Sequence, residues 1–250
     1  MDNTKKFDGY ADDYTSGRPD YAKELIDSFY SSYGFDRATA IADIGSGTGK
    51  LSLGLLRRGS KVFCVEPNGD MRRVAEKELS AFEGFHSVAG DAENTTLDDA
   101  SVDCITVAQA FHWFDVESFR EECKRILKEG GRVFLIWNVR DMSDPINADL
   151  QDVYKKYCPD FVGFSGGIEK DDARIRDFFR GEYEYAAFSN PLVFDREKFI
   201  ARSLSGSYSL KEGDENFGDY MKAVTDLFDK YAKDGVVTMA NRSVAYIGTV

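Results

Sequence analysis

From Arg37 to Val139 the chain alternates short apolar runs with stretches in which apolar residues recur every three or four positions. That alternation is the signature of a parallel sheet whose strands are joined by crossover helices. The runs ATAIADI (38–44), KVFCVE (61–66), FHSVA (85–89), VDCITVAQA (102–110) and RVFLIWNV (132–139) predict five strands. Between the first two, TGKLSLGLLRRG predicts a helix with Leu51, Leu55 and Leu56 on its inner face and Gly59 as its stop. Asn68 caps a second helix running to Phe82. A third spans Asp115 to Lys128, with Asp115 as its cap, Phe119, Cys123, Ile126 and Leu127 along one side, and Gly130-Gly131 ending it.

The last hundred residues follow another rhythm. Asp141 to Arg180 is charged, has weak apolar periodicity and reads as helical cover. An extended stretch (Glu182 to Phe194), helix signals at Asp195–Leu204 and Asn216–Lys233, and one closing strand, VVTMANRSVAYIGTV, predict an antiparallel edge on the parallel sheet. There is no internal repeat and no low-complexity linker, so the chain reads as a single domain. Within it, 1–36 is an N-terminal cap or lid, 37–139 a ligand-binding core, 140–181 a helical insertion, and 182–250 the remaining sheet and a substrate cover.

Composition narrows the chemistry. With 44 acidic against 32 basic residues the net charge is −12. Such a balance opposes binding to nucleic acid or to anionic lipid, both of which need clustered Lys and Arg. No apolar run reaches the ~20 residues of a membrane span, and MDNTKKFDGY has no apolar signal region, so the expectation is a cytoplasmic protein. Oligomeric state is not legible in the sequence. Cys64, Cys104, Cys123 and Cys158 form no CxxC pair, and His86 and His112 are the only histidines. No metal centre is expected from that inventory.

The segment Ile41-Ala42-Asp43-Ile44-Gly45-Ser46-Gly47-Thr48-Gly49 ends a strand and opens a helix. In open α/β sheets ligands bind at such carboxyl ends. Glu66 ends the second strand, where a carboxylate can accept both hydroxyls of a ribose, and Asp91-Ala92 follows the third, placed for an adenine edge. The spacing is GxGxG with an acid two residues earlier, not the GxGxxG of a diphosphate-binding dinucleotide site. A negative charge at Asp43 suits an ammonium group. The expected cofactor is an adenosine with a zwitterionic tail.

DIGSGTG, VEPNGDM, GDAEN and AQAFHWF, in this order and spacing, resemble the motifs of class I S-adenosylmethionine-dependent methyltransferases. Within them the chain resembles the methyltransferase-11 type, including trans-aconitate-methyltransferase-like proteins; FDGYADDYTSGRPDY and the terminal AYIGTV extend the likeness over nearly the whole chain. The resemblance implies a Rossmann-like, seven-stranded, mostly parallel sheet with one antiparallel strand, helices on both faces and a helical insertion after the fifth strand. It implies S-adenosyl-L-methionine as cofactor. Asp43, Gly45, Ser46 and Gly47 would hold its methionine part and Glu66 its ribose; Pro67 and Met71 would flank the adenine, with Asp91 and Ala92 bonding it. Ala108 and Gln109 would border the methionine amino group and the transfer site. Tyr10, Tyr14 and Arg18 would fold over the cofactor, Arg18 meeting its carboxylate; the alternative is a surface arm.

On the acceptor side, Gln109, His112 and Trp113 are the candidate catalytic residues, with Phe111 and Phe114 packing under the next helix. Trp137 and Asn138 would close the pocket from the fifth strand. Arg202-Ser203 and Ser207-Tyr208 are either acceptor contacts or solvated helix-end groups. Methyl transfer needs alignment and fixed dipoles more than covalent help. A carboxylate acceptor needs no base; for a hydroxyl or amine, the imidazole of His112 is the nearby group with an ordinary pKa near neutrality, ~6.5. The expected activity is methyl transfer to a small molecule, at oxygen, carbon or nitrogen. Two other readings stay open: a protein that binds S-adenosylmethionine or S-adenosylhomocysteine without turnover, and a nicotinamide-dependent oxidoreductase.

Overall fold

A computed structural model describes residues 19–164, 172–206 and 208–250. The first three strands, β1 (Ala40–Ile44), β2 (Lys61–Val65) and β3 (Phe85–Val88), run parallel, as do β4 (Val102–Ala108) and β5 (Leu127–Arg140). With β6 (Tyr183–Ser189) and β9 (Asn241–Gly248) they form one seven-stranded sheet of order β3-β2-β1-β4-β5-β9-β6. β9 alone is antiparallel to both of its neighbours. The mostly parallel sheet with one antiparallel strand is therefore as the sequence implies.

Helices cover both faces. On one lie α1 (Lys23–Ser32), α2 (Lys50–Leu56) and α3 (Gly69–Leu79), whose Leu25, Phe29, Leu51, Leu55, Ala75 and Leu79 pack on Ile41, Val62 and Phe134. On the other lie α4 (Val116–Ile126) and α6 (Ala173–Phe178), joined by the rings of Phe111, Phe119, Phe178 and Trp137. The caps are as the sequence requires. Asn68 Oδ1 accepts from the backbone N–H of Asp70 and of Met71, both at 3.0 Å, and Asp115 Oδ1 accepts from Ser118 N at 2.9 Å.

Four boundaries differ from expectation. α3 ends at Leu79, three residues short of Phe82. α4 stops at Ile126, because the loop before β4 takes its last carbonyls (Ala100 N to Arg125 O, Ser101 N to Ile126 O, both 2.9 Å) and Leu127 already pairs with Val102. Gly130 and Gly131 thus lie inside β5. The closing strand is two strands: β8 (Val236–Met239) leaves the main sheet and pairs antiparallel with β7 (Leu192–Asp195). The break falls at Ala240, whose N–H is taken by Asp144 Oδ2 (2.6 Å) and whose carbonyl is taken by Asp141 N and Asn147 Nδ2 (3.0 and 2.7 Å). With its backbone groups satisfied there, Ala240 has no place in a ladder. The extended stretch from Glu182 divides likewise, around Asn190-Pro191.

The β7–β8 ribbon packs with α5 (Pro145–Tyr157), α7 (Arg196–Leu204) and α8 (Phe217–Tyr231) around a third apolar cluster that includes Tyr154, Phe199, Tyr220 and Phe228. So the helical layer expected after β5 draws also on residues from beyond β6. Among the described residues no helix is long and apolar enough to cross a membrane.

Candidate functional site

Strand order reverses at β1, so the carboxyl ends of β1, β2 and β4 lie side by side at a switch point, where open α/β sheets bind ligands. The loop after β1 is tied to the tip of β2, with Gly45 N and Ser46 N both donating to Val65 O (2.9 and 3.1 Å). Gly45 and Gly47 have φ of +66° and +58°, a region glycine enters without cost. Their surroundings differ. A Cβ on Gly45 would lie 2.6 Å from Ala110 Cβ, whereas one on Gly47 would meet nothing within 4 Å. Gly45 is a packing requirement, and among the described residues nothing fills the space over Gly47.

Glu66 bridges the loop and the next helix. One carboxylate oxygen accepts from Gly47 N and the other from Asn68 N, each at 2.9 Å. Burial raises its pKa, and the two N–H donors hold it down. Arg72 Nη1 donates to the carbonyls of Glu66 and Pro67 (2.7 and 2.8 Å), which fixes the turn from β2 into α3.

Asp43 stands beneath the loop, not at its rim. It is 1% exposed; Oδ2 accepts from Ser52 Oγ (2.5 Å) and Oδ1 from Thr106 Oγ1 (2.9 Å). Burial pushes its carboxyl up to about 6, against the two hydroxyl donors, with the Glu66 charge adding to the rise. Asp43 therefore ties β1 to α2 and β4, and any action on a bound cation is through space. The sequence reading missed Ser52 and Thr106. The available signal was a hydroxyl at an inward helix position and another inside an apolar strand.

Around this centre, Pro67 is exposed, Met71 is buried and Ala108 is half-buried. Asp91 is exposed in the loop just after β3, and its Oδ1 closes a turn by accepting from Glu93 N and Asn94 N (3.1 and 2.7 Å); Ala92 is buried behind it. Gln109 sits at the tip of β4 with φ +58°, its Nε2 donating to Asn138 O at 3.2 Å. Five other non-glycine residues among those described also have positive φ, so the angle shows a constrained strand tip and does not by itself mark a site. The turn Phe111–Trp113 then buries Phe111 and leaves Trp113 39% exposed, with the His112 ring 4.8 Å from it.

Other candidates are placed elsewhere. Trp137 is fully buried among Phe111 and Tyr246 and lines the core, because at this point of β5 the alternation turns it under the sheet. Ser203 is buried too, its hydroxyl on Phe199 O (2.9 Å) and its carbonyl taken by Ser209 Oγ and Tyr220 OH (both 2.7 Å), so it is neither solvated nor free for an acceptor. Tyr10, Tyr14, Arg18 and Ser207 lie outside the described residues. Among those described, no group of three His, Cys, Asp or Glu side chains is arranged to hold a metal.

The residues fit an adenosine with an amino-acid tail. Among the described residues Ser46 Oγ is buried without a hydrogen-bond partner beside Gly47, and the Glu66 oxygens, each with one donor, retain acceptor capacity.

Comparison with known proteins bears on the family and the fold. A family model described as a methyltransferase domain matches residues 42–135. An uncharacterized methyltransferase-like protein of Schizosaccharomyces pombe is 32% identical over 206 residues, covering 80% of this chain and 77% of its own length. An uncharacterized methyltransferase of Mycobacterium tuberculosis is 41% identical over 128 residues, 51% of this chain. The match spans about half (50%) the length of that mycobacterial relative. The crystal structure of the YcgJ protein of Bacillus subtilis superposes with a TM-score of 0.57 at 18% identity, over 92% of this chain and 100% of that one, a likeness of fold.

Proposed function

This chain belongs to the class I S-adenosylmethionine-dependent methyltransferases, and on that footing we propose that it transfers a methyl group to a small-molecule acceptor. The observation that carries the reading is the clasp between Glu66 and Gly47, a buried carboxylate with acceptor capacity beside a glycine face that no described side chain fills. The acidic balance of the chain speaks against a nucleic acid as acceptor.

When bound, S-adenosylmethionine supplies a methyl group on a sulfonium, activated for in-line displacement. Glu66 would hold the ribose, Gly47 and Ser46 the amino-acid tail, and Asp91 with Ala92 the adenine edge, between Pro67 and Met71. Gly45 keeps the loop close-packed, and buried Asp43 adds a negative field beneath it. At the tip of β4, Ala108 and Gln109 border the transfer site. Gln109 contributes a fixed amide dipole, its orientation set by the carbonyl of Asn138. His112 and Trp113 orient the acceptor and exclude water from it. His112 takes a proton only if the acceptor is a hydroxyl or an amine.

Calorimetric titration of the full chain with S-adenosylhomocysteine, followed by transfer from methyl-labelled cofactor into a metabolite extract, tests both halves. Saturable binding and label in the low-mass fraction are expected. No heat of association would overturn the site, and label confined to macromolecules would overturn the acceptor class.

A further inference from the structure

The loop between β3 and β4 is built more tightly than a connection needs. Asp91 N donates to Asn94 O (3.2 Å), and Asp91 Oδ1 accepts from Glu93 N and Asn94 N (3.1 and 2.7 Å), so the loop closes on itself at once. Gly90 lets the chain fold back this closely, since a Cβ there would sit 2.6 Å from Thr95 O. Thr96 then takes φ +64°, and of the six non-glycine residues with positive φ among those described it alone is β-branched. That region is unfavourable for such a side chain and persists only where the surroundings hold it.

What holds it is a buried carboxylate. Glu122, on α4, is 8% exposed, and its Oε1 accepts both from the backbone N–H of Thr95 (2.8 Å) and from its hydroxyl (2.6 Å). Thr95 is itself fully buried. Arg125, further along the helix, donates to the same carboxylate through Nε and Nη2, both at 2.8 Å. Taking a carboxylate out of water is costly, and an aliphatic side chain in that place would pack the helix at less cost. What Glu122 adds is a fixed position for Thr95. A second tie runs from the outer side of the turn, where Glu93 Oε1 accepts from Asp115 N (2.9 Å) at the start of the same helix. Beneath the turn, Ala92 and Leu97 are buried in one apolar cluster with Phe119 and Cys123 of α4.

The consequence falls on Asp91. Its Oδ1 is engaged inside the turn, while Oδ2 forms no bond among the described residues and the side chain is exposed. We propose that Glu122 is a positioning residue for recognition of the adenine ring: through Thr95 it fixes the turn that presents Asp91 Oδ2 to the exocyclic amino group, and so sets the preference for adenine over a base with a carbonyl in that place. This rests on the assignment of Asp91 and Ala92 to the adenine edge. A carboxylate oxygen accepts from an amino group and repels a carbonyl oxygen, so the preference grows with the precision of its placement.

The test titrates the full chain calorimetrically with S-adenosylhomocysteine and, separately, with S-inosylhomocysteine, in which a carbonyl replaces the adenine amino group. Wild type is expected to prefer the adenosyl compound about tenfold or more. Glu122→Ala removes the anchor, and Thr95→Val removes the hydroxyl at nearly constant shape. Both are expected to lose most of that preference, through weaker binding of S-adenosylhomocysteine. Thr95→Ser keeps the hydroxyl and is expected to retain it. The ratio of the two affinities is read within one preparation, so a lower melting temperature does not alter it, and Thr95→Val reads the effect alone where Glu122→Ala does not fold. Variants that melt earlier yet keep the wild-type preference would overturn the positioning role. Wild-type protein that binds both compounds equally would strike the Asp91 assignment and the inference with it, whereas protein that binds neither would overturn the cofactor site itself.

Discussion

The side-chain amide of Gln109 donates to the backbone oxygen of Asn138 at 3.2 Å, from a residue held at φ +58°. Asn138 is itself immobilised: its Oδ1 accepts from Ser243 Oγ (2.6 Å) and Asn190 Nδ2 (3.1 Å), and its Nδ2 donates to Asp20 O (3.2 Å). The tips of β4, β5 and β9, the β6–β7 turn and the approach to α1 are thus locked together at one point. A strained residue is tolerated there because its surroundings over-determine it.

Gln109→Gly should separate strain from function. Glycine accepts the left-handed backbone, so stability is expected to hold or to rise by about 1 kcal/mol while methyl transfer falls. Thermal unfolding and single-turnover kinetics read the two effects. Undiminished transfer would remove Gln109 from the machinery.

Gly47→Ala and Gly45→Ala carry the same backbone penalty of roughly 1–2 kcal/mol but differ in what the new methyl meets. At position 45 it collides with Ala110 Cβ, 2.6 Å away, so the protein should lose stability well beyond the backbone penalty. At position 47 it enters open space, so S-adenosylhomocysteine affinity should fall far more than stability does. Melting temperature and calorimetry on both variants distinguish the outcomes, and equal damage to stability would contradict the assignment of Gly47 to the ligand face.

Glu66→Ala removes the acceptor for two N–H groups, those of Gly47 and Asn68. Leaving them unsatisfied should cost about 1–3 kcal/mol each where water cannot reach. Cofactor affinity should drop by an order of magnitude or more, since a carboxylate bonded to hydroxyls is worth ~1.5–3 kcal/mol. Full affinity in the variant would refute the ribose role.

The pH dependence of stability should carry the mark of Asp43. Its folded value of about 6 lies above the ordinary carboxyl range. As pH climbs from ~4 to about 6, the unfolded chain releases this proton while the folded chain keeps it. The group's contribution therefore erodes stability across that window and is constant above it. Asp43→Asn has no such proton. Its stability relative to wild type should rise with pH through the window, by at most about 3 kcal/mol. Denaturant unfolding at a series of pH values measures the difference, and parallel curves would place the Asp43 value near that of an exposed carboxyl.

His112→Ala should lower turnover about tenfold and leave S-adenosylhomocysteine affinity within roughly twofold, because the ring lies beside exposed Trp113, beyond the glycine loop. Turnover equal to that of wild type would retire the residue as an orienting group.

What the sequence by itself determined is whatever short-range physics dictates. Apolar runs such as VFCV and CITV had to be buried strands, Asn68 and Asp115 had to cap helices, and the glycine loop had to follow β1 with Glu66 at the next strand tip. These depend on side-chain periodicity and on backbone angles within a few residues. Only the tertiary structure decided which strand each run would join and which way a boundary residue would face. VVTMANRSVAYIGTV has one continuous β pattern, yet Ala240 splits it between a ribbon and the main sheet because Asp141, Asp144 and Asn147, almost a hundred positions away, take its backbone groups. The burial of Trp137 against Phe111 and Tyr246 and the hydroxyl that Thr106 brings to Asp43 are likewise contacts across long stretches of chain. No local pattern encodes them, because periodicity records that a side chain must be buried and says nothing of what it will be buried against.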